Sequence, residues 1–109
     1  MAEDIHKILI TDVTLRDGNH AISHKISQQQ IANYCDAIDL AGVSIVEVGH
    51  GNGLGASSLQ IGESAITDEA MLVTARKHLK KSKLGIHVIP GFATIERDLK
   101  PAIDYGVDV

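Results

Sequence analysis

The sequence has 109 residues, 44% of them apolar and 22% charged, which is enough for one small globular domain. Its net charge of -4 excludes the concentrated positive surface that nucleic acid binding needs, and no apolar stretch approaches the ~20 residues of a membrane span. The N-terminus lacks a signal-peptide pattern, and a single cysteine, Cys35, excludes an internal disulfide, so we expect a cytoplasmic protein. Cys35 lies at an apolar position of a predicted helix, so we expect its thiol to be buried.

A TLRDGNH motif lies between two predicted elements near the start of the chain. Residues 7–11, KILIT, are rich in β-branched side chains and predict a buried strand, and residues 12–25 predict the loop that carries the motif. Ser27 and Gln30 have the spacing of a capping box, in which each side chain satisfies a free backbone N–H group of a helix N-terminus. A helix is predicted from Ser27 to Gly42, because glycine suits the left-handed residue that ends a helix.

A second strand and helix follow, with a long loop between them. Residues 43–48, VSIVEV, predict the strand, and residues 50–66 predict a glycine-rich loop. Thr67 can cap the next helix, which carries acidic residues in its first turn and basic residues toward its end. This order of charges suits the dipole of a helix.

A third unit completes the pattern. Residues 84–89, LGIHVI, predict a strand, and Thr94 can cap the helix that follows. Pro101 lies inside this helical segment, so we expect a kink or a late helix start. Residues 105–109, YGVDV, repeat the glycine-then-strand pattern that precedes the second strand, and they predict the start of a fourth strand.

The alternation of strands and helices predicts an α/β protein with a parallel sheet and right-handed crossovers. The predicted strands are almost continuously apolar, as expected of strands that are buried on both faces. A closed (β/α)8 TIM barrel takes ~250 residues, so residues 1–109 are predicted to be the truncated N-terminal part of a single barrel domain, about its first three β/α units. The alternative is a small open α/β domain that is complete at 109 residues.

Charged and titratable residues follow the ends of the predicted strands, where parallel-sheet proteins bind their ligands. Asp17 offers a hard oxygen to a divalent cation, Arg16 can hold an oxygen that becomes negative during a reaction, and His20 can move a proton near neutral pH. Together these groups fit cleavage or formation of a carbon–carbon bond through an enolate. The strand-end set comprises Asp12, Arg16, Asp17, His20, Glu47, His50 and His87.

Each of these residues also has a purely structural interpretation. Arg16 and Asp17 could form an ion pair at the end of a strand, and His20 could be a solvated loop residue. His20 and His24 have a spacing that suits metal pairs on helices, but they are predicted to precede the helix, which disfavours a zinc site. His87 is interpreted as a hydrogen-bonded core histidine.

Several motifs resemble those of a known enzyme family. TLRDGNHAISHK at residues 14–25 resembles the N-terminal signature of the 4-hydroxy-2-oxovalerate aldolases, which lie within the metal-dependent lyase and synthase barrels that carry a TLRDG motif. EVGHGNGLGASS at residues 47–58 resembles the EVxHGxGLxxSS segment of the same aldolases, and VIPGFAT at residues 88–94 resembles the end of their third strand. Related carboligases usually carry a glutamine at the position of His20, so the histidine favours the aldolase branch.

The resemblance implies a (β/α)8 barrel that cleaves 4-hydroxy-2-oxopentanoate, a small 2-oxo acid, reversibly into pyruvate and acetaldehyde with a divalent metal, usually Mn²⁺. It implies that Asp17 binds the metal and that Arg16 stabilises the enolate and contacts the oxo-acid end of the substrate together with Asp17. It implies that His20 is the base that takes the proton of the 4-hydroxyl group. It also implies a partner, an acylating acetaldehyde dehydrogenase that accepts the aldehyde.

The chain departs from the family pattern in two places. The HxH pair of metal ligands on a late strand and a downstream serine and tyrosine have no counterpart, so the 109-residue chain alone is expected to be inactive. Residues 59–72, LQIGESAITDEAML, differ from the Phe/Tyr-rich stretch of the family, so the aldehyde is less defined than the reaction. Two other hypotheses compete: a carboligase of the same barrel class that uses an acyl thioester, and a non-catalytic α/β module that binds a partner.

Overall fold

In the computed structural model, which describes residues 8–109, three short strands form one parallel sheet. Strands β1 (Thr11–Leu15), β2 (Ile45–Val48) and β3 (Lys83–Gly85) are adjacent in that order, and each pairs in parallel with the next. The predicted α/β class with a parallel sheet is therefore confirmed. Strand order follows chain order, as it does in successive units of a β/α barrel.

Helices lie between the strands and after the last of them. Within residues 8–109 the helical segments are α1 (Asp17–Ala21), α2 (Gln28–Ala41), α3 (Asp68–His78), a π-helical turn (Ile95–Leu99) and α4 (Lys100–Asp104). None of these helices is long and apolar enough to cross a membrane.

The predicted helix ends are confirmed. At the start of α2, the Ser27 hydroxyl accepts a hydrogen bond from the Gln30 backbone N–H, and the Gln30 side chain accepts one from the Ser27 backbone, so the capping box is complete. Gly42 ends α2 with a φ angle of 80°. Thr67 and Thr94 cap the next two helical segments, and Pro101 lies in the first turn of α4, which is the predicted late start.

The first strand differs from its prediction. It begins at Thr11 rather than at residue 7, and the side chains of the apolar run at residues 8–10 are exposed; Lys7 lies outside the described residues. The prediction ended the strand with the apolar run at Thr11 and placed Asp12 in the following loop. Here the Asp12 carboxylate accepts hydrogen bonds from the Thr14 backbone and from the Tyr34 hydroxyl, at 3.0 and 2.8 Å, so the strand continues to Leu15.

Two further predictions need correction. The third strand ends at Gly85 rather than at residue 89, so His87 lies beyond it. Burial on both faces is wrong for β1, in which only Leu15 is buried. The predicted fourth strand begins as a backbone pairing with β3: the Val109 N–H donates to Leu84 O, and the Ile86 N–H donates to Val109 O, at 3.2 and 3.0 Å.

The core is aliphatic, as the composition predicts, and it lies between the sheet and helices α2 and α3. Cys35 is fully buried there, which confirms its prediction, and burial raises the pKa of its thiol to about 12. A thiol with this pKa is not nucleophilic near neutral pH. The largest fully buried side chains include Leu15, Ile31, Val46, Met71, Leu72, Leu79 and Leu84.

A buried carboxylate joins α2 to the loop before β3. Asp39 Oδ1 accepts the backbone N–H groups of Lys81 and Ser82, both at 2.8 Å. Burial alone would raise the pKa of Asp39, but the hydrogen bonds from the Ser82, Lys81 and Lys80 backbones outweigh it and lower the pKa below its ordinary value. The charged carboxylate therefore stabilises the folded state.

Replacing Asp39 by asparagine is expected to lower the free energy of unfolding by about 1–2 kcal/mol at pH 7, because a charged acceptor forms stronger hydrogen bonds than an amide oxygen. A carboxylate whose pKa is depressed by folding stabilises the protein above its unfolded pKa, and this contribution is lost as the pH falls through the folded pKa. Urea denaturation of wild type and variant at a series of pH values checks both points. A difference that stayed constant down to pH 2 would contradict the role of the charge.

Candidate active site at the carboxyl ends of the strands

The guanidinium group of Arg16 connects the ends of β1 and β2. Its Nε atom lies 2.7 Å from Oε1 of Glu47, and its Nη1 atom donates to the backbone oxygen of Gly51 at 3.1 Å. The side chains of Arg16 and Glu47 are only 17% and 15% exposed. This pair therefore holds both residues on the same rim of the sheet, the edge formed by the carboxyl ends of the strands.

Asp17 lies beside this pair with its carboxylate open to solvent. Its Oδ1 atom is 3.8 Å from Arg16 Nη1, and its side chain is 68% exposed. The close partner of Arg16 is Glu47, so the structural ion pair that the sequence allowed between Arg16 and Asp17 is at most a long contact. Because its oxygens are accessible, the Asp17 carboxylate is able to bind a cation.

Asp17 and His20 lie on a short helix where the sequence predicted only a loop. In α1 their spacing of three residues puts them on one helix face, and the ring of His20 is exposed. Asn19 anchors this helix: it is buried, its Nδ2 atom donates to Gly49 O at 3.0 Å, and its Oδ1 atom accepts the Ile26 N–H at 3.4 Å. Asn19 was not predicted from sequence, because its side-chain type alone does not distinguish it from an ordinary polar loop residue.

Three histidines meet behind the rim. The rings of His24 and His50 are stacked, with centroids 3.6 Å apart and planes within 10° of parallel, and both residues are buried. The ring of His20 meets His24 edge-on, with centroids 5.3 Å apart. From sequence, His24 was considered only as a metal ligand, although its spacing of four residues from His20 was the available signal for a contact.

His50 is held in one neutral tautomer. Its Nδ1 atom lies 3.0 Å from the Asn52 backbone N, which can only donate, so Nδ1 carries no proton. Its Nε2 atom lies 2.9 Å from Gly62 O, which can only accept, so Nε2 carries the proton. Both nitrogens are occupied by the loop, and His50 is not available as a base.

Two glycines let the loop at residues 50–66 approach the histidines closely. A Cβ atom on Gly51 would lie 2.6 Å from His20 Cβ, and one on Gly62 would lie 2.8 Å from His24 Nδ1. Real Cβ atoms do not tolerate such distances, so these positions require glycine. The Gly51 carbonyl also accepts the hydrogen bond from Arg16, so one residue is in contact with both Arg16 and His20.

Replacing Gly51 by alanine is expected to displace His20 from Arg16, because the new methyl group collides with the Cβ atom of His20 and helix α1 must move. We expect a loss of about 1–3 kcal/mol in stability and at least a tenfold loss of any activity that uses both residues. Steady-state kinetics and thermal unfolding measure the two effects. Gly18→Ala is the matched control, since a Cβ atom there makes an ordinary 3.5 Å contact.

No group of three or more histidine, cysteine, aspartate or glutamate residues within residues 8–109 is arranged to hold a metal ion. His24 stacks face to face on His50 and meets the ring of His20 edge-on. His87 is half-buried, outside any strand, and its backbone oxygen accepts the Leu54 N–H at 2.9 Å. Asp17 therefore offers a single accessible carboxylate to a metal.

The profile of one protein family, described as HMGL-like, matches residues 7–108, almost the whole chain. The chain belongs to the HMGL-like family. Its relatives confirm the resemblance to the aldolase branch: proteins named 4-hydroxy-2-oxovalerate aldolase from Spirochaeta aurantia and Pectobacterium atrosepticum are 66% and 53% identical to it over 102 and 103 residues. A third, 4-hydroxy-2-oxovalerate aldolase 2 of Salinispora arenicola, is 56% identical over 102 residues.

These matches cover 94% of this chain but only about 30% of the length of each relative. The parallel β/α units of this HMGL-like chain are consistent with part of a (β/α)8 barrel.

Proposed function

We propose that this chain contributes the Arg16, Asp17 and His20 sector of a divalent-metal-dependent aldolase that cleaves 4-hydroxy-2-oxopentanoate reversibly into pyruvate and acetaldehyde. The observation that supports the proposal is the rim itself. A partly buried guanidinium, an accessible carboxylate and an exposed histidine follow the end of β1 within five residues of sequence, and Arg16 forms an ion pair with Glu47 on the neighbouring strand. The printed names of the relatives support the same reaction.

In the proposed reaction His20 removes the proton of the 4-hydroxyl group. The C3–C4 bond then breaks, its electron pair forms the enolate of pyruvate, and acetaldehyde leaves with a new C=O bond. Protonation of the enolate at C3 gives pyruvate. His20 suits the role of base because its ring is exposed on the same face of α1 as Asp17, whereas both nitrogens of His50 are occupied by the loop.

Arg16 stabilises the oxygen that becomes negative as the bond breaks. Its Nε and Nη1 atoms are held by Glu47 and by the Gly51 carbonyl, so the guanidinium plane is oriented before substrate arrives. A donor that is already oriented stabilises developing charge without reorganisation, and one such donor contributes roughly 3 kcal/mol. We also propose that Arg16 and Asp17 contact the oxo-acid end of the substrate, which their position side by side on the rim supports.

Asp17 would hold the divalent metal, for which we propose Mn²⁺, together with ligands from outside residues 8–109. When bound, the metal supplies Lewis-acid stabilisation of the substrate oxygen. The accessible carboxylate of Asp17 fits one ligand position, and a catalytic site needs several. We propose accordingly that residues 1–109 form the N-terminal part of a single barrel domain.

An acylating acetaldehyde dehydrogenase is proposed as partner, because acetaldehyde is volatile and reactive and its direct transfer prevents its loss. A cytoplasmic location is proposed as well, in keeping with a single, buried and unpaired cysteine.

The test is an assay of the intact product of the gene that encodes this chain. We expect release of pyruvate from 4-hydroxy-2-oxopentanoate with Mn²⁺, measured with lactate dehydrogenase and NADH, and loss of that release in excess EDTA. Condensation of acetyl-CoA with a 2-oxo acid, without release of pyruvate, would replace the aldolase by a carboligase. Absence of both reactions would favour a non-catalytic module.

A further inference from the structure

His24 contains a buried nitrogen that has no hydrogen-bond partner among the described residues. The residue is 2% exposed, and its Nε2 atom makes no hydrogen bond within residues 8–109. A buried polar atom without a partner costs about 1–3 kcal/mol, so native structures keep few of them. A phenylalanine or leucine would fill this space without that cost, which calls for a reason why a histidine is present.

The unpartnered nitrogen lies on the side of His24 that faces His20. A Cβ atom on Gly51 would lie 3.1 Å from His24 Nε2 and also 3.1 Å from His20 Cγ, so both rings border the same small space. The two rings meet edge-on with centroids 5.3 Å apart. His20 is exposed and turns about its side-chain bonds, so a hydrogen bond between the rings needs no backbone movement.

The other sides of His24 are fixed. One ring face stacks on His50, whose own nitrogens are bound to Asn52 and Gly62, and the Gly62 backbone lies beside Nδ1. Burial, followed by the proximity of His50 and His20, lowers the pKa of His24, so its ring is neutral at physiological pH. A rigid, neutral imidazole is suited to holding a neighbour in place and unsuited to storing a proton.

We infer that His24 is a positioning residue for His20: its Nε2 atom is the hydrogen-bond partner that orients the His20 ring and selects one His20 tautomer. This inference rests on the proposed role of His20 as the base. A general base is commonly oriented by a third group, and such hydrogen bonds are often long before substrate binds. The proton position on an imidazole is set by the hydrogen bond that its other nitrogen makes, which is the effect assigned to His24.

The first experiment reads the tautomer directly and needs no activity. The intact gene product is labelled with ¹⁵N-histidine, and the ring nitrogen shifts of His20 are assigned with a His20→Asn variant. We expect one dominant neutral tautomer in the wild type and a mixture in His24→Phe, which keeps a flat ring but no nitrogen. Unchanged His20 shifts in His24→Phe would overturn the inference.

The second experiment separates positioning from packing. In His24→Phe we expect kcat for pyruvate release to fall about 10- to 100-fold, with KM changed by less than about threefold. His24→Gln restores a polar group at this depth. Its log kcat is expected to lie at least one third of the way from the His24→Phe value back to the wild-type value. His78→Gln is the matched control, because His78 binds Asp36 on the helix surface, away from the rim.

Each outcome of these experiments either supports or overturns the inference that His24 orients His20. A kcat within twofold of wild type in His24→Phe overturns the inference, and so does equal loss in the Phe and Gln variants. If His24→Phe fails to fold, as judged by circular dichroism, the same two readouts in His24→Gln replace it: a kcat at most about 20-fold below wild type and one dominant His20 tautomer are expected, and a mixture of His20 tautomers would overturn the inference. If the wild-type protein releases no pyruvate, the proposed function fails, while the tautomer comparison still decides whether His24 orients His20.

Discussion

Replacing Asp17 by asparagine in the intact gene product is expected to lower kcat/KM for pyruvate release by at least about 100-fold and to weaken Mn²⁺ binding by a similar factor. Asparagine keeps the shape of the side chain but removes the negative charge that attracts a divalent cation. Because the Asp17 side chain is 68% exposed, stability should be unchanged. Calorimetric titration with Mn²⁺ and steady-state kinetics measure the two losses.

Asp36→Asn is the control for this variant, since Asp36 is a similarly exposed carboxylate on α2 whose partner is His78. It should bind Mn²⁺ and release pyruvate as the wild type does. Full activity in Asp17→Asn would remove Asp17 from the site, and an equal loss in Asp36→Asn would point to a general effect of surface charge.

Replacing Arg16 by lysine is expected to lower kcat by about 100- to 1000-fold. Lysine keeps the positive charge, but it cannot bind Glu47 and the Gly51 carbonyl through one planar group. Since Glu47 would lose a close partner in a half-buried position, we also expect a decrease of about 1–3 kcal/mol in the free energy of unfolding. Kinetics with saturating substrate and urea denaturation report the two effects separately.

Arg76→Lys is the control that separates stability from chemistry. Arg76 also binds a carboxylate and backbone oxygens, those of Asp108, Gly106 and Leu79, but it does so away from the rim. We expect Arg76→Lys to lower stability and leave kcat unchanged. If the two lysine variants lost kcat equally, the effect of Arg16 would be one of folding, and its place in the site would be wrong.

The helices could be predicted from sequence because their signals are local. The Ser27 and Gln30 side chains and the glycine at position 42 act within one helical turn, so the residue types alone define the ends of α2. The first strand was misplaced because its limits depend on distant partners. Asp12 was placed in the loop after the strand, but its carboxylate is acceptable within the strand because Thr14 and the Tyr34 hydroxyl, 22 positions away, donate hydrogen bonds to it.

The site likewise contains some residues that the sequence predicts and others that only the fold brings together. The motif predicted Arg16, Asp17 and His20 as site residues, and the topology of a parallel sheet predicted that Glu47 would lie on the same rim, which the 2.7 Å contact with Arg16 confirms. The roles of Asn19 and His24 could not be predicted, because they depend on contacts with the loop after β2. A buried nitrogen without a partner is recognised only when the packing around it is known.

The close fit of the loop at residues 50–66 has a consequence for protein engineering. Its backbone lies too close to groups outside it for a Cβ atom at four glycines: Gly51 against His20, Gly62 against His24, Gly53 against the His87 carbonyl oxygen, and Gly55, where a Cβ atom would lie 2.8 Å from the Phe92 carbonyl oxygen. A chimaera that takes this segment from another protein is therefore compatible with the rest of the chain only if the donor segment has glycine at all four positions. Leu54 and Ala56 are buried and must also be kept, so a library in this segment is best confined to the exposed positions Leu59, Gln60 and Glu63.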